Sequence, residues 1–175
     1  MRAVVVYESM YGNTHLIADA IGAGLEAAFD VSVVPVSHAG PEVIADADLV
    51  VAGGPTHAHG MSRPSTRNAA VKAADEPADG LTVEPDAVGP GLREWFGSLG
   101  RCPVRAAAFD TRVHGPAALT GRASKGVTRL LRKHGFDVVA EPKSFLVTRR
   151  DRLEPQEQDR ARDWAAKLAA GITRG

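Results

Sequence analysis

Residues 5–14 read Val5-Val6-Tyr7-Glu8-Ser9-Met10-Tyr11-Gly12-Asn13-Thr14. A β-branched run stops at a loop of Ser, Gly, Asn and Thr, and beyond it Ile17, Ile21 and Leu25 recur at helical spacing. A strand therefore turns directly into a helix. Such a turn aims several backbone N–H groups and the positive end of the helix dipole at one point, and the hydroxyls of Ser9 and Thr14 add donors around it. The loop reads as a site for a phosphate. There is no Gly-x-Gly-x-x-Gly and no Gly-Lys-Ser/Thr ending, which sets aside two familiar nucleotide loops.

Outward from this turn, short β-branched runs alternate with helical patterns. Residues 3–7, 31–36, 49–53, 104–109 and 138–147 are the strand candidates, the last broken around Pro142. Residues 14–28, 122–134 and 154–170 carry apolar stripes of helical period, with Pro155 suited to the first helical position. Residues 41–47 leave room for a short or irregular helix, and 68–74 and 91–99 add two more short ones. Strands alternating with helices indicate an α/β fold with a parallel sheet. The first strand is apolar at nearly every position, which places it centrally, covered on both faces.

At 175 residues the chain fits one domain spanning 1–175. With 44% hydrophobic and 24% charged residues, no apolar run approaches the roughly 20 residues of a membrane span. The start lacks a signal-peptide pattern, so the expected location is cytoplasmic. The 21 basic and 21 acidic residues cancel, leaving no overall field to attract nucleic acid or a membrane surface. Cys102 stands alone and reads as a small buried hydrophobe. Residues 61–90, rich in Pro and Gly and poor in apolar periodicity, read as a long loop of the kind that is functional or disordered.

The quoted stretch resembles the flavodoxin phosphate-loop signature. Val5, Val6, Tyr7, Ser9, Gly12, Thr14, Ala18 and Ile21 fill every position that the signature specifies. The plainer reading, in which Ser9 and Thr14 only cap a helix and Gly12 only turns, does not need so many matched positions. The resemblance implies a flavodoxin-like single domain, a doubly wound five-stranded parallel sheet of order 2-1-3-4-5. It also implies flavin mononucleotide (FMN) as cofactor, its phosphate held by Ser9, Met10, Tyr11, Gly12, Asn13 and Thr14 without Lys or Arg.

In open α/β sheets ligands lie outside the carboxyl ends of the strands, so the loops after the third and fourth strands should complete the site. The segment Gly53-Gly54-Pro55-Thr56-His57-Ala58-His59-Gly60 is similar to the family's Gly-x-Pro-Thr-x-x-x-Gly stretch beside the isoalloxazine ring. By the same resemblance Pro55, Thr56, His57, Ala58, His59 and Gly60 contact the ring. Asp110, Thr111, Arg112, His114 and Gly115 stand where the family covers its other edge. Neither segment contains the Trp or Tyr that well-known flavodoxins stack on the flavin. The spacing His57-x-His59 also suits a metal, but with no carboxylate or Cys nearby the flavin loop is the better account, and no metal is expected. His15 and His38 read as surface residues. Arg122, Lys125, Arg129, Arg132 and Lys133 cluster on one helix, as a solvated face or as a dock for an acidic redox partner or the phosphates of NADPH.

Two functions follow from the resemblance. One is electron transfer through bound FMN with a redox partner protein and no catalytic acid or base. The other is an FMN-dependent NAD(P)H:quinone-type oxidoreductase, favoured by the open ring face and by residues 61–90, an insertion relative to the family and a possible lid. A cofactor-free domain that binds proteins with the same edge is a third reading from a different class.

Overall fold

The computed structural model describes residues 1–74 and 81–174. Strands β1 (Arg2–Tyr7), β2 (Asp30–Pro35), β3 (Leu49–His57) and β5 (Arg105–Val113) lie parallel in the order β2-β1-β3-β5. The last position is shared by β6 (Asp137–Val138) and β7 (Lys143–Val147), which pair in turn with the start and the end of β5. In terms of the five predicted strands the order is 2-1-3-4-5, with the break of the fifth where Pro142 places it.

The alternation of side chains along each strand divides the core in two. Val4, Val6, Val50, Ala52, Ala106 and Ala108 point to one face. There they meet Trp95 and Phe96 of α4 (Leu92–Ser98) and Val127 and Leu131 of α6 (Ala123–Lys133). Ala3, Val5, Leu49, Val51 and Ala107 point to the other, against Ile17 and Ile21 of α1 (Asn13–Leu25) and Ala161, Ala165 and Leu168 of α7 (Glu157–Thr173). Each fully buried Val, Ile or Leu contributes on the order of 1.5–3 kcal/mol, so both stripes of α1 and α7 are held by their apolar faces. Gly24 brings those two helices together: a Cβ there would stand 2.3 Å from the Arg162 carbonyl oxygen. Small elements complete the chain: α2 (Pro41–Ile44), β4 (Gly60–Met61), α3 (Pro64–Ala74) and α5 (Ala117–Thr120).

Three boundaries differ from the sequence reading. First, residues 53–60 are not a loop. β3 runs on to His57 and folds back on β4 as a hairpin, with His57 paired to Gly60 and Thr56 to Met61. Pro55 lies beyond the Tyr7–Gly53 end of the β1 pairing, where β3 has an open side and tolerates a missing N–H. The connecting Ala58 and His59 sit at φ 44° and 72°, both left-handed, the backbone of a tight hairpin turn without the Asn-Gly that announces one. Second, β5 continues to Val113 because β7 pairs with its outer half. Third, α7 begins at Glu157 after a left-handed Gln156, so Pro155 stands before the helix and not inside it.

Within residues 61–90 the structure places β4, α3 and a turn in which Ala87 N donates to the Glu84 carbonyl. Pro77 and Gly80 lie outside the described residues. Cys102 is half-buried against the core, and burial pushes its thiol pKa up. His38 is exposed, whereas His15 is half-buried, its ring stacked on Tyr7 at 4.5 Å and its Nδ1 2.8 Å from Glu84 Oε1. Burial, with Glu84 next in weight, raises the Tyr7 hydroxyl to about 12. Among the described residues no helix is long and apolar enough to cross a membrane.

Candidate functional site

At the carboxyl end of the sheet a cleft of about 300 Å³ opens between the β1–α1 turn, the β3–β4 hairpin and the end of β5. Gly12 precedes α1 at φ 88°, and no side chain caps the helix. The Ser9 hydroxyl accepts the Gly12 N–H at 3.2 Å, which curls the loop around the open first turn. Thr14 is buried and its hydroxyl lies 2.7 Å from that of Thr111, so β5 and α1 present a hydroxyl pair at the cleft. Backbone N–H groups, a helix dipole and hydroxyls form the donor set that a phosphate ester requires, and no cation is needed to hold it.

Asn13 spans the back of the cleft. Its Nδ2 donates to the Asp151 carbonyl at 2.7 Å and its Oδ1 accepts the Leu153 N–H at 3.1 Å. Tyr11 reaches the other way, its hydroxyl donating to the Ala70 carbonyl of α3 at 2.6 Å. Met10 is buried, and its carbonyl accepts the Glu84 N–H at 2.9 Å, joining the loop to the insertion. Pro55, Thr56, His57 and Ala58 line the cleft from the hairpin. Desolvation pushes the His57 pKa below its ordinary 6.5, despite the opposing influence of Glu8 and Asp151, and so favours the neutral imidazole. Among the described residues Tyr11 is the sole Trp, Tyr or Phe that lines the cleft.

Other expected site residues point elsewhere. Asp110 is fully buried and its Oδ2 accepts the Ser124 N–H at 2.7 Å, holding the start of α6. Arg112 reaches the cleft edge, but its guanidinium donates to the Gly115 carbonyl at 2.8 Å and the Thr120 hydroxyl at 2.9 Å. His114 faces solvent with Nδ1 3.3 Å from Glu154 Oε1. His59 and Gly60 lie on the far side of the hairpin, where they line a second cavity. Among the described residues no three His, Cys, Asp or Glu side chains converge as a metal site would need.

Glu8, a position the phosphate-loop signature leaves unspecified, proves to be buried. Its Oε2 accepts the Leu92 N–H at 2.9 Å and its Oε1 the Ser62 hydroxyl. Arg67 donates to the Ser62 hydroxyl at 3.1 Å and pairs with Glu94 at 3.3 Å. A Cβ on Gly91 would fall 2.4 Å from Arg67 Nη1 and 2.7 Å from Glu8 Oε2. This network ties the phosphate loop to β4, α3 and α4 through polar groups whose partners lie far apart in the chain. A Glu between Tyr7 and Ser9 carries no local signal of that. Ala70, Val113, Val147 and Asp151 also line the cleft without a sequence motif to mark them.

A doubly wound parallel sheet with a cleft at its carboxyl edge is the flavodoxin-like fold. The flavodoxin family model matches residues 5–84, the part of the chain that holds the phosphate loop and the hairpin. Solved structures extend the likeness to the whole fold. A flavodoxin from the domain Archaea is 21% identical, covers 99% of each chain and has a TM-score of 0.66. Oxidised Flavodoxin 1 from Bacillus cereus is 17% identical over 97% of this chain and 98% of its own, also with a TM-score of 0.66. A flavodoxin, WrbA-like protein from Agrobacterium tumefaciens is 18% identical over 99% and 98%, with a TM-score of 0.62. No curated protein sequence matches the chain.

Proposed function

We propose that this protein binds FMN in the cleft at the start of α1 and serves electron transfer. The observation that carries the reading is the uncapped start of α1, with left-handed Gly12 and the Ser9, Thr14 and Thr111 hydroxyls gathered around it. Bound FMN supplies redox chemistry in one- and two-electron steps. The chain's own part is to hold and orient. The loop from Ser9 to Thr14 receives the phosphate, and Pro55 to Ala58 with Thr111 and Arg112 flank the ring. Neutral His57 places a polar, uncharged edge beside it. No residue has to act as acid or base for electrons to pass to a partner protein.

The absence of Trp, Tyr or Phe from the hairpin and the β5 end favours a second reading, an FMN-dependent NAD(P)H:quinone-type oxidoreductase. A ring with no Trp, Tyr or Phe on those two segments leaves room for a small-molecule substrate, and the Tyr11–Ala70 hydrogen bond, which ties α3 to the phosphate loop, supports a lid role for α3.

The visible spectrum of the purified protein, before and after adding FMN and then NADPH without oxygen, tests both. Flavin that stays oxidised until a separate reductase is added supports the carrier. Bleaching by NADPH alone supports the oxidoreductase. A colourless protein that takes up no FMN rejects both.

A further inference from the structure

Behind the hairpin lies a larger cavity of about 660 Å³, walled by α6, α5 and Arg93 of α4. Four cations line it, Arg93, Arg122, Lys125 and Arg129, and among the described residues no Asp or Glu does. Among the described residues none of the four forms an ion pair. Arg93 Nε donates to the Ser62 carbonyl at 2.9 Å, and Arg122 Nε to the Ser144 hydroxyl at 3.2 Å. These neutral partners steady the guanidiniums without cancelling their charge. Lys125 and Arg129 stand four residues apart on the exposed face of α6, a like-charge spacing that costs a helix about 0.2–0.5 kcal/mol when no anion is present.

The chain as a whole is neutral, so this excess is local. The floor is kept bare and close-packed. Gly121, at φ 77°, lies so near the hairpin that a Cβ would fall 2.2 Å from His59 Cα, and a Cβ on Gly126 would fall 2.9 Å from the Met61 sulfur. We propose that this cavity binds the phosphate groups of a small phosphorylated molecule. Guanidiniums held in a fork match phosphate oxygens, and Lys adds a mobile point charge. A concave volume within the roughly 300–1,000 Å³ of small-molecule sites suits such a ligand better than the flat face of an acidic protein.

The cavity and the cleft share one wall. His57 faces the cleft and His59 the cavity, with Ala58 between them. A phosphorylated donor or substrate anchored in the cavity is therefore one hairpin turn from the ring position. That role rests on the FMN reading, whereas the phosphate site itself does not.

The test is calorimetric titration of the full chain with inorganic pyrophosphate, then with NADPH. Three variants accompany it: Lys125→Glu/Arg129→Glu in the cavity, Arg132→Glu/Lys133→Glu on the same helix outside it, and Gly12→Val at the α1 start. Circular dichroism checks that each is folded, and Lys125→Gln/Arg129→Gln replaces the reversal if it is not. Pyrophosphate binding should weaken at least about tenfold in the cavity variant, weaken less than about twofold in the helix control, and persist in Gly12→Val. It should also weaken as salt rises. Absence of binding, an equal loss in the two reversals, or loss only in Gly12→Val overturns the proposal. Competition by NADPH identifies a nucleotide as the source of the phosphates. Pyrophosphate binding without such competition assigns the site to another phosphate ester. FMN uptake is recorded on the same samples: a wild-type chain that takes up no FMN but binds pyrophosphate through Lys125 and Arg129 rejects the proposed function and keeps this site.

Discussion

Helices α1 and α6 both begin at the carboxyl edge of the sheet, and their first turns are treated in opposite ways. At α6 the chain fills the positive end itself: Thr56 Oγ1 accepts the Ala123 N–H at 2.9 Å and Asp110 Oδ2 accepts that of Ser124. At α1 nothing caps the helix, and left-handed Gly12 leaves it open to the cleft. A helix start satisfied by buried side chains is architecture. One left open beside hydroxyls is available to a ligand. Asp110 and Thr56, which the resemblance groups with the cofactor, each give one oxygen to the start of α6.

The largest expected effect is at the open end. Gly12→Val puts a β-branched side chain at φ 88°, and FMN affinity measured by fluorescence titration should fall by about a hundredfold or more. At the closed end Asp110→Ala strands the Ser124 N–H in the interior. Urea denaturation should show a loss of about 1–3 kcal/mol, with FMN affinity of the folded fraction nearly unchanged. If Asp110→Ala instead abolishes flavin uptake at undiminished stability, the distinction between the two ends is wrong. Thr14→Val removes one member of the buried hydroxyl pair with Thr111, and FMN affinity should drop about tenfold.

The smallest effect concerns pH. Because burial lowers the His57 pKa, the unfolded chain binds its proton more readily than the folded one. Stability is then whole above pH 6.5 and declines as pH falls below it, until the folded pKa is reached. The urea midpoint of His57→Gln should be flatter than that of the parent across this window.

The parts of the molecule that were legible in the sequence are those governed by local pattern. The run from Val5 to Thr14 announces a strand, an open turn and a helix because each step rests on neighbouring residues. The alternation of valine-rich runs with apolar helical stripes likewise dictates a parallel sheet, and Pro142 marks the break in its last strand. Pairing that depends on distant residues left no such mark. β5 reads as ending at Phe109, yet β7 supplies partners through Val113. The hairpin at Ala58-His59 uses left-handed residues that pattern does not favour. Strain of about 1–3 kcal/mol at each is the kind held at binding sites by surrounding structure. Glu8 sits at a position that the signature leaves unspecified and is buried, because the groups that satisfy it belong to residues 62 and 92. The basic residues of α6 form a cavity only because Arg93 and the hairpin close it.

Asn13 gives the cleft a place in time. Its two hydrogen bonds join residues 138 and 140 positions apart, against 97 for the Thr14–Thr111 pair. Contacts of such separation form late, after the entropy of closing a long loop has been overcome. On the ribosome the phosphate loop emerges long before its partners, and its back wall cannot assemble until Leu153 has left the exit tunnel. A nascent chain holding only the matched residues 5–84 carries the motif without the finished cleft, whose back wall waits for residues 151 and 153.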